Sequence, residues 1–166
     1  MKKTMECTNC GAAAPIVRGR YQFKDLGLRN VTLRGVELAR CPRCGNEDAI
    51  LPGVNRIMRA VALALVGKPN RLRGDEVRFL RSFLGMPAEK FAKLVHVDKA
   101  TLSKWENDED PVGVQSDLLI RMFTLALGDG LSAKAEAMVK GFEHISARRK
   151  PVRIEVQAGT LEYEYA

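Results

Sequence analysis

Apolar and polar side chains alternate along two stretches in the first third of the chain. Tyr21 and Phe23 lie at period two, as do Val31 and Leu33, and Gly27 stands between the two pairs. This alternation predicts antiparallel strands over 18–26 and 30–39, connected by a turn. Alternation returns in 152–156 and 161–165, where it predicts a hairpin. Because a lone hairpin is marginal in water, we expect it to pack on its own chain, to pair with a second copy or to join the sheet of a partner.

Between these strands the apolar positions recur at helical spacing and predict six helices. The first covers 54–66, and the stop signals in 67–73 separate it from the others. Three shorter helices follow: one begins at 75, one has Pro87 at its first position, and one runs from 98 toward 107. We expect Asp98 to cap the third of these by accepting a hydrogen bond from the amide of Thr101. The last two helices are predicted over 114–127 and 132–147.

All four cysteines of the chain lie in two similar turns, Cys7-x-x-Cys10-Gly and Cys41-Pro-x-Cys44-Gly. Their thiolates can complete a tetrahedral shell of four sulfurs, which suits a structural Zn²⁺ and leaves no open position for a reacting water. Two disulfides or four free thiols are alternatives, and iron in the same shell would give an electron carrier that resembles rubredoxin. The first residues do not resemble an export signal, so we expect a cytoplasmic protein. A reducing compartment favours metal over disulfides.

Strands around a four-cysteine site indicate a zinc ribbon, and the helical pattern after it indicates an all-α domain. The sequence therefore predicts an α+β fold in four parts. These are a ribbon with its linking helix over 1–66, a linker over 67–73, a helical domain over 74–148 and a hairpin over 149–166. The longest apolar run, 60–66, is far too short to cross a bilayer, so we expect no membrane partner.

The charge of the chain favours a polyanionic partner, since its net charge is +7. Positive charge is in excess by 7 over residues 1–70 and by 4 over 71–104, whereas 105–166 carries −4. The basic side chains of the predicted strands form either a nucleic-acid surface or a solvated face; they are Arg18, Arg20, Lys24, Arg29, Arg34 and Arg40. The chain has two histidines, its cysteines are assigned to metal, and it has no nucleotide-binding glycine motif. We therefore expect no enzymatic activity.

Residues 91–107 carry the pattern of a DNA-binding helix-turn-helix. Leu102 and Trp105 form an apolar side that can anchor the last helix, while its lysines and hydroxyls can donate to bases or phosphates in a major groove. The small Ala92 and the closing Trp105-Glu106-Asn107 resemble the Cro and phage-repressor type of helix-turn-helix, also called XRE-like. By this resemblance the base-facing positions are Lys99, Ala100 and Lys104, and the phosphate contacts are Thr101 and Ser103. An ordinary helical core with exposed lysines is the alternative.

Two residues depart from the pattern of that family. Pro87 stands where many members have a glutamine that contacts DNA, and His96 stands where the turn usually has glycine. We expect His96 to take the turn conformation at some strain or to change the turn. Specificity would then rest on fewer side chains.

The order of two CxxC turns, a linking helix and an XRE-like domain over residues 7–128 resembles the MqsA antitoxin family, whose ribbon is described as YgiT-type. The resemblance implies a dimeric repressor whose zinc domain binds a ribonuclease toxin and whose helix-turn-helix binds operator DNA. We therefore expect a zinc-stabilised homodimer that binds double-stranded operator DNA, with a ribonuclease toxin as a further partner. The alternatives are a stand-alone sensor regulator without a toxin and a rubredoxin-like module.

Overall fold

The computed structural model describes residues 3–23, 26–128, 131, 145 and 151–165. Within these ranges the strands are β1 (Thr4–Glu6), β2 (Ala13–Gln22), β3 (Val31–Arg40), β4 (Glu47–Ile50), β5 (Ile154–Gln157) and β6 (Tyr163–Tyr165). The helices are α1 (Val54–Gly67), α2 (Gly74–Phe83), α3 (Ala88–Leu94), α4 (Lys99–Glu106) and α5 (Val114–Leu127). The predicted α+β class is confirmed. None of these helices is long and apolar enough to span a membrane.

Strand β3 lies at the centre of the sheet. Strand β2 pairs with it in the antiparallel sense along one side. On the other side, β5 runs parallel to the first half of β3 and β4 runs antiparallel to the second half. The order is β1-β2-β3-β5-β6, with β4 attached to β3. The predicted hairpin therefore packs on its own chain, because β5 and β6 extend the sheet that follows the first cysteine turn.

A bulge keeps one face of β3 apolar along its whole length. The register against β2 shifts by one residue at Gly35, which has a φ of 71° and is the extra residue of the bulge. The inward positions therefore change from odd to even numbers. Val31 and Leu33 are buried before the bulge, and Val36 and Leu38 are buried after it.

A large hydrophobic cluster joins the sheet to the helices. It includes inward residues of β3 and β5, the buried face of α1, and residues of α2, α3, α4 and α5. Helix α1 packs against α2, α5, β5 and β6. A second and smaller cluster lies at the cysteine end of the sheet and consists of Cys7, Ala14, Ala39 and Cys41. The sheet therefore connects a small cysteine-centred cluster to the main core.

Buried polar contacts hold the segment 67–73 that connects α1 to α2. The Nζ of Lys68 lies 2.6 Å from Glu76 Oε2, and both side chains are fully buried. Arg121 on α5 donates to the carbonyls of 66, 68 and 70 at 2.5, 2.9 and 2.7 Å. Asp117 on the same helix accepts from Arg121 at 2.7 Å and from the amide of Leu72 at 2.6 Å. The segment is thus tied to both α2 and α5, and the division into separately folding domains stays a prediction.

The predicted helices agree with the structure better than the predicted strands. Helix α5 has the bounds 114–127 that its periodicity predicts, and α1 extends one residue past 66. Strand β2 begins at Ala13 rather than 18 and ends at Gln22 rather than 26, and the alternation did not predict β1 or β4. The predicted helix over 132–147 and the basic residue Lys24 lie outside the described residues.

Arginines of β2 and β3 pair with carboxylates of β5 and β6. Arg20 lies 2.9 Å from Glu155, and Arg34 lies 3.0 Å from the same carboxylate and also pairs with Glu164. These glutamates belong to the hairpin that extends the sheet. The pairing favours a solvated, salt-bridged face over a nucleic-acid surface for these arginines.

Candidate functional site

The two cysteine turns have the same backbone geometry. In each turn the glycine after the second cysteine donates its amide to the carbonyl of the first cysteine, at 2.9 Å from Gly11 to Cys7 and at 3.0 Å from Gly45 to Cys41. The two glycines have φ values of 71° and 72°, a conformation that other residues adopt only at a cost. This turn directs both thiols of each pair toward one point.

The four sulfurs meet at the surface end of the sheet. The Sγ atoms of the four cysteines all lie within 4.8 Å of one another. The Sγ atoms of Cys7 and Cys44 are 3.6 Å apart, and those of Cys10 and Cys41 are 3.5 Å apart. A tetrahedron with metal–sulfur bonds of about 2.3 Å has edges of about 3.8 Å. No disulfide joins these four cysteines, and the spacing of their sulfurs fits a single metal ion.

Polar side chains beside the sulfurs connect the two turns. Asn46 Nδ2 lies 3.9 Å from Cys7 Sγ and donates to Asp48 Oδ2 at 2.9 Å and to Thr8 Oγ1 at 3.2 Å. The hydroxyl of Thr8 in turn donates to Asp48 at 2.9 Å. Outer contacts of this kind orient metal ligands. Sequence reasoning missed this group, although each member lies within four residues of a cysteine.

The thiols of Cys44 and Cys10 differ in acidity because their surroundings differ. The backbone amide of Asn46, followed by the side-chain amide of Asn9, stabilises the thiolate of Cys44 and lowers its pKa to about 6. The amide of Ala12 acts in the same direction on Cys10, but the neighbouring thiols outweigh it and raise the pKa of Cys10 to about 12. A metal ion that binds all four sulfurs must therefore displace protons. With four protein sulfurs the shell has no open position for water, so the group fits a structural metal rather than a hydrolytic one.

Helices α3 and α4 and the turn between them cover residues 88–106, and the sequence predicts a helix-turn-helix over 91–107. Ala92 of α3 is buried, as expected for a close helix crossing, and Leu102 and Trp105 anchor α4 in the core. His96 in the turn is exposed and has a φ of 56°. It therefore adopts the turn conformation at some strain, as the sequence predicts, because this region of φ is uncommon for a residue other than glycine.

Asp98 caps α4 in the predicted way. Its Oδ1 accepts from the backbone amide of Thr101 at 2.8 Å, and its Oδ2 accepts from the Thr101 hydroxyl at 2.8 Å. The amide first, and then the hydroxyl, lower the pKa of Asp98. Because the Thr101 hydroxyl donates its single hydrogen to the cap, it has none left to donate to a phosphate while this contact is made.

The residues predicted to contact DNA lie on the outer side of α4. Lys99, Ala100, Ser103 and Lys104 are exposed, and Thr101 is half-buried. The Nζ of Lys104 lies 3.6 Å from Asp110 Oδ2, and both of these side chains are more than half exposed. The helix therefore presents polar side chains to solvent over a firmly packed apolar side.

The Trp105-Glu106-Asn107 sequence connects α4 to α2. Glu106 Oε1 accepts from Arg81 Nε at 2.6 Å, and Asn107 Oδ1 accepts from Arg78 at 2.8 Å. Glu106 is almost buried. Two arginines of α2, Arg78 and Arg81, therefore hold Glu106 in the fold.

Comparison of the chain with models of protein families, with curated proteins and with solved structures gave no match.

Proposed function

We propose that the chain is a sequence-specific DNA-binding repressor that acts as a homodimer and is stabilised by Zn²⁺ bound to Cys7, Cys10, Cys41 and Cys44. The observation that carries the proposal is the capped helix α4, which buries Leu102 and Trp105 and exposes Lys99, Ala100, Ser103 and Lys104. A short helix held in this way can enter a major groove, where lysine binds guanine and hydroxyls bind bases or phosphates.

The charges around α4 indicate which end of the helix meets DNA. Asp108, Glu109 and Asp110 follow its C-terminal end and are exposed, so they would repel phosphates there. Lys99 lies at the N-terminal end, and Lys90 and Lys93 are exposed on the preceding helix α3. We therefore propose that the N-terminal half of α4 reads the bases, which is the arrangement that helix-turn-helix proteins commonly use.

Zinc is the proposed ion because a closed set of four cysteines is a common structural zinc site. The ion would fix the two turns and would take no part in a reaction. Iron in the same shell would give a coloured protein, so metal analysis together with the visible absorption spectrum distinguishes the two ions. Iron would favour the rubredoxin-like alternative.

The dimer is proposed because α4 alone is eight residues long and can read only a few base pairs. Two copies related by a two-fold axis would read inverted half-sites about one helical turn apart. The ribonuclease toxin that the MqsA resemblance implies as a partner of the ribbon stays a prediction.

Selection from a pool of random DNA duplexes tests the proposal. We expect enriched sequences with two inverted half-sites, and we expect Lys99→Ala to weaken binding to them about tenfold, as for loss of one base contact. Fluorescence anisotropy measures the affinity. Lys3→Ala removes an exposed lysine of the ribbon and serves as the matched control, with little expected change. Selection without enrichment, or equal effects of the two substitutions, would contradict the proposal.

A further inference from the structure

An open cavity of about 590 Å³ lies between α1 and the hairpin of β5 and β6. Pockets that bind small molecules usually have volumes of about 300–1,000 Å³, so this cavity is large enough for one. It involves neither the four cysteines nor the exposed face of α4. The cavity is therefore a separate feature of the molecule.

The helix side of the cavity combines cationic and apolar groups. Arg56 and Arg59 line it from one end of α1, and Ala60 and Leu63 line it from the following turns. Residues three, four and seven apart share one face of a helix, so the four side chains form a single stripe. Ala60 and Leu63 are nearly buried, whereas Arg56 is exposed. The stripe thus runs from a basic rim to an apolar floor.

The hairpin side supplies an apolar and aromatic wall. Leu161 and Tyr163 line the cavity and are half-buried. Tyr165 fixes this wall on the helix, because its hydroxyl donates to the carbonyl of Ala64 at 2.7 Å. Leu161 has a φ of 63°, a strained conformation for a residue other than glycine, and such residues cluster at ligand sites.

We propose that this cavity binds an amphipathic organic anion, with a carboxylate at Arg56 and Arg59 and an apolar or aromatic body against Leu63, Leu161 and Tyr163. Guanidinium groups match the geometry of a carboxylate and bind it with charge-assisted hydrogen bonds. Among the lining residues that the structure describes, Glu162 is the one carboxylate beside two guanidinium groups. The proposal does not depend on DNA binding.

Isothermal titration of the metal-loaded full chain with 2-naphthoate tests the charge requirement. We expect a dissociation constant on the order of 0.1 mM, which is ordinary for a ligand of this size. The neutral 2-naphthalenemethanol has the same aromatic body and should bind at least about tenfold more weakly, because it lacks the charge that the arginines recognise. Equal affinity of the acid and the alcohol would overturn the proposal, and so would no measurable binding of the acid.

Substitutions and NMR spectra of the backbone amides test where 2-naphthoate binds. Arg56→Gln should weaken 2-naphthoate binding at least about fivefold, whereas Arg43→Gln, which removes an exposed arginine of the second cysteine turn, should leave it unchanged. The unfolding midpoint of each variant verifies that it is folded. In amide spectra of the unsubstituted chain, 2-naphthoate should shift the signals of Ala60, Leu63 and Leu161. Equal loss of affinity in both variants, or shifts confined to other regions, would contradict this site.

Discussion

The buried pair of Lys68 and Glu76 is a residue-scale feature with a large energetic consequence. Both side chains are fully buried, and their charged atoms are 2.6 Å apart, in an ion pair whose angles fall outside those of a hydrogen bond. Desolvation lowers the pKa of Lys68, and the negative charge of Glu76 opposes this shift. Glu76 also accepts from Asn30 at 3.0 Å and from the amide of Arg73 at 2.7 Å. The Glu76 carboxylate therefore joins α2 to the connecting segment and to the start of β3.

Glu76→Gln should destabilise the fold strongly, because it keeps the shape of the side chain but leaves the charge of Lys68 buried without a counter-charge. Removal of one partner from a buried pair costs about 3–5 kcal/mol, and urea unfolding measures this cost. Glu89→Gln makes the same change in the exposed pair of Glu89 with Lys93 and should leave the free energy of unfolding nearly unchanged. Similar losses in the two variants would show that the buried charge does not need its partner. Adding Lys68→Met to Glu76→Gln should recover part of the loss.

At the scale of elements, the charge of the α4 cap makes the stability of the helix depend on pH. The amide and hydroxyl of Thr101 lower the pKa of Asp98 in the folded chain, so the unfolded chain binds this proton more tightly. The stabilisation is complete above the ordinary carboxyl pKa of about 3.9 and is lost as the pH falls through the lower folded value.

Asp98→Asn tests this dependence because asparagine also caps helices but has no carboxyl group to titrate. The unsubstituted chain should be the more stable of the two at pH 6, and the difference should shrink as the pH falls from 4 to 3. Urea unfolding of both proteins at each pH measures the difference in stability, and loss of the proposed metal in acid would affect both alike. A difference that stays constant over this range would contradict a role for the charge of Asp98.

The elements also show what the sequence could predict. The bounds of α5 and the cap of α4 depend on contacts within one helix, and periodicity and residue type reveal such contacts. Strand β2 begins at Ala13, among alanines and Pro15, where no alternation marks a strand. The parallel pairing of β5 with β3 joins segments more than a hundred residues apart, and no local pattern contains it.

The difference between local and long-range contacts also decides which parts of the candidate sites could be predicted. Cysteine spacing predicts the cluster of four sulfurs, because each CxxC turn is a short sequence pattern and a tetrahedral ion requires the ligands of both turns. The buried charges of Lys68, Glu76, Asp117 and Arg121 could not be predicted, since charged side chains are usually exposed and their partners here come from other elements. Arg121 shows this best: it lies on a predicted amphipathic helix, yet it donates to carbonyls near residues 66–70.

At the scale of the whole molecule, strand β3 connects the cysteine centre to the helices. Cys41 directly follows its last residue, and Asn30 directly precedes its first residue. Asn30 donates to Glu76 of α2 and to the carbonyl of Val152 before β5, at 3.0 and 2.7 Å. The cysteine cluster is small, whereas the main cluster contains residues of β3, α1 and α2. The two ends of β3 therefore depend on different sources of stability.

Removal of the proposed metal should therefore unfold one end of the sheet and spare the other. Metal binding contributes about 10–16 kcal/mol in zinc-finger peptides, and the four-residue cluster at the cysteines has little else to replace it. In Cys41→Ser we expect rapid hydrogen exchange in β1, β4 and both cysteine turns. Exchange should stay slow at Val31 and Leu33 and in α1 and α5, because the main core holds them.

Hydrogen exchange detected by mass spectrometry resolves the two ends of the strand. Arg43→Ser is the control, because it also introduces a serine into the second cysteine turn but removes no metal ligand. This variant should keep both the metal and the slow hydrogen exchange of β4. Rapid exchange throughout α1 and α5 in Cys41→Ser would mean that the metal supports the whole molecule, because the buried contacts at Glu76 and Arg121 would then be too weak to hold the helices alone. Slow exchange in both cysteine turns of Cys41→Ser would instead mean that the turns fold without four ligands.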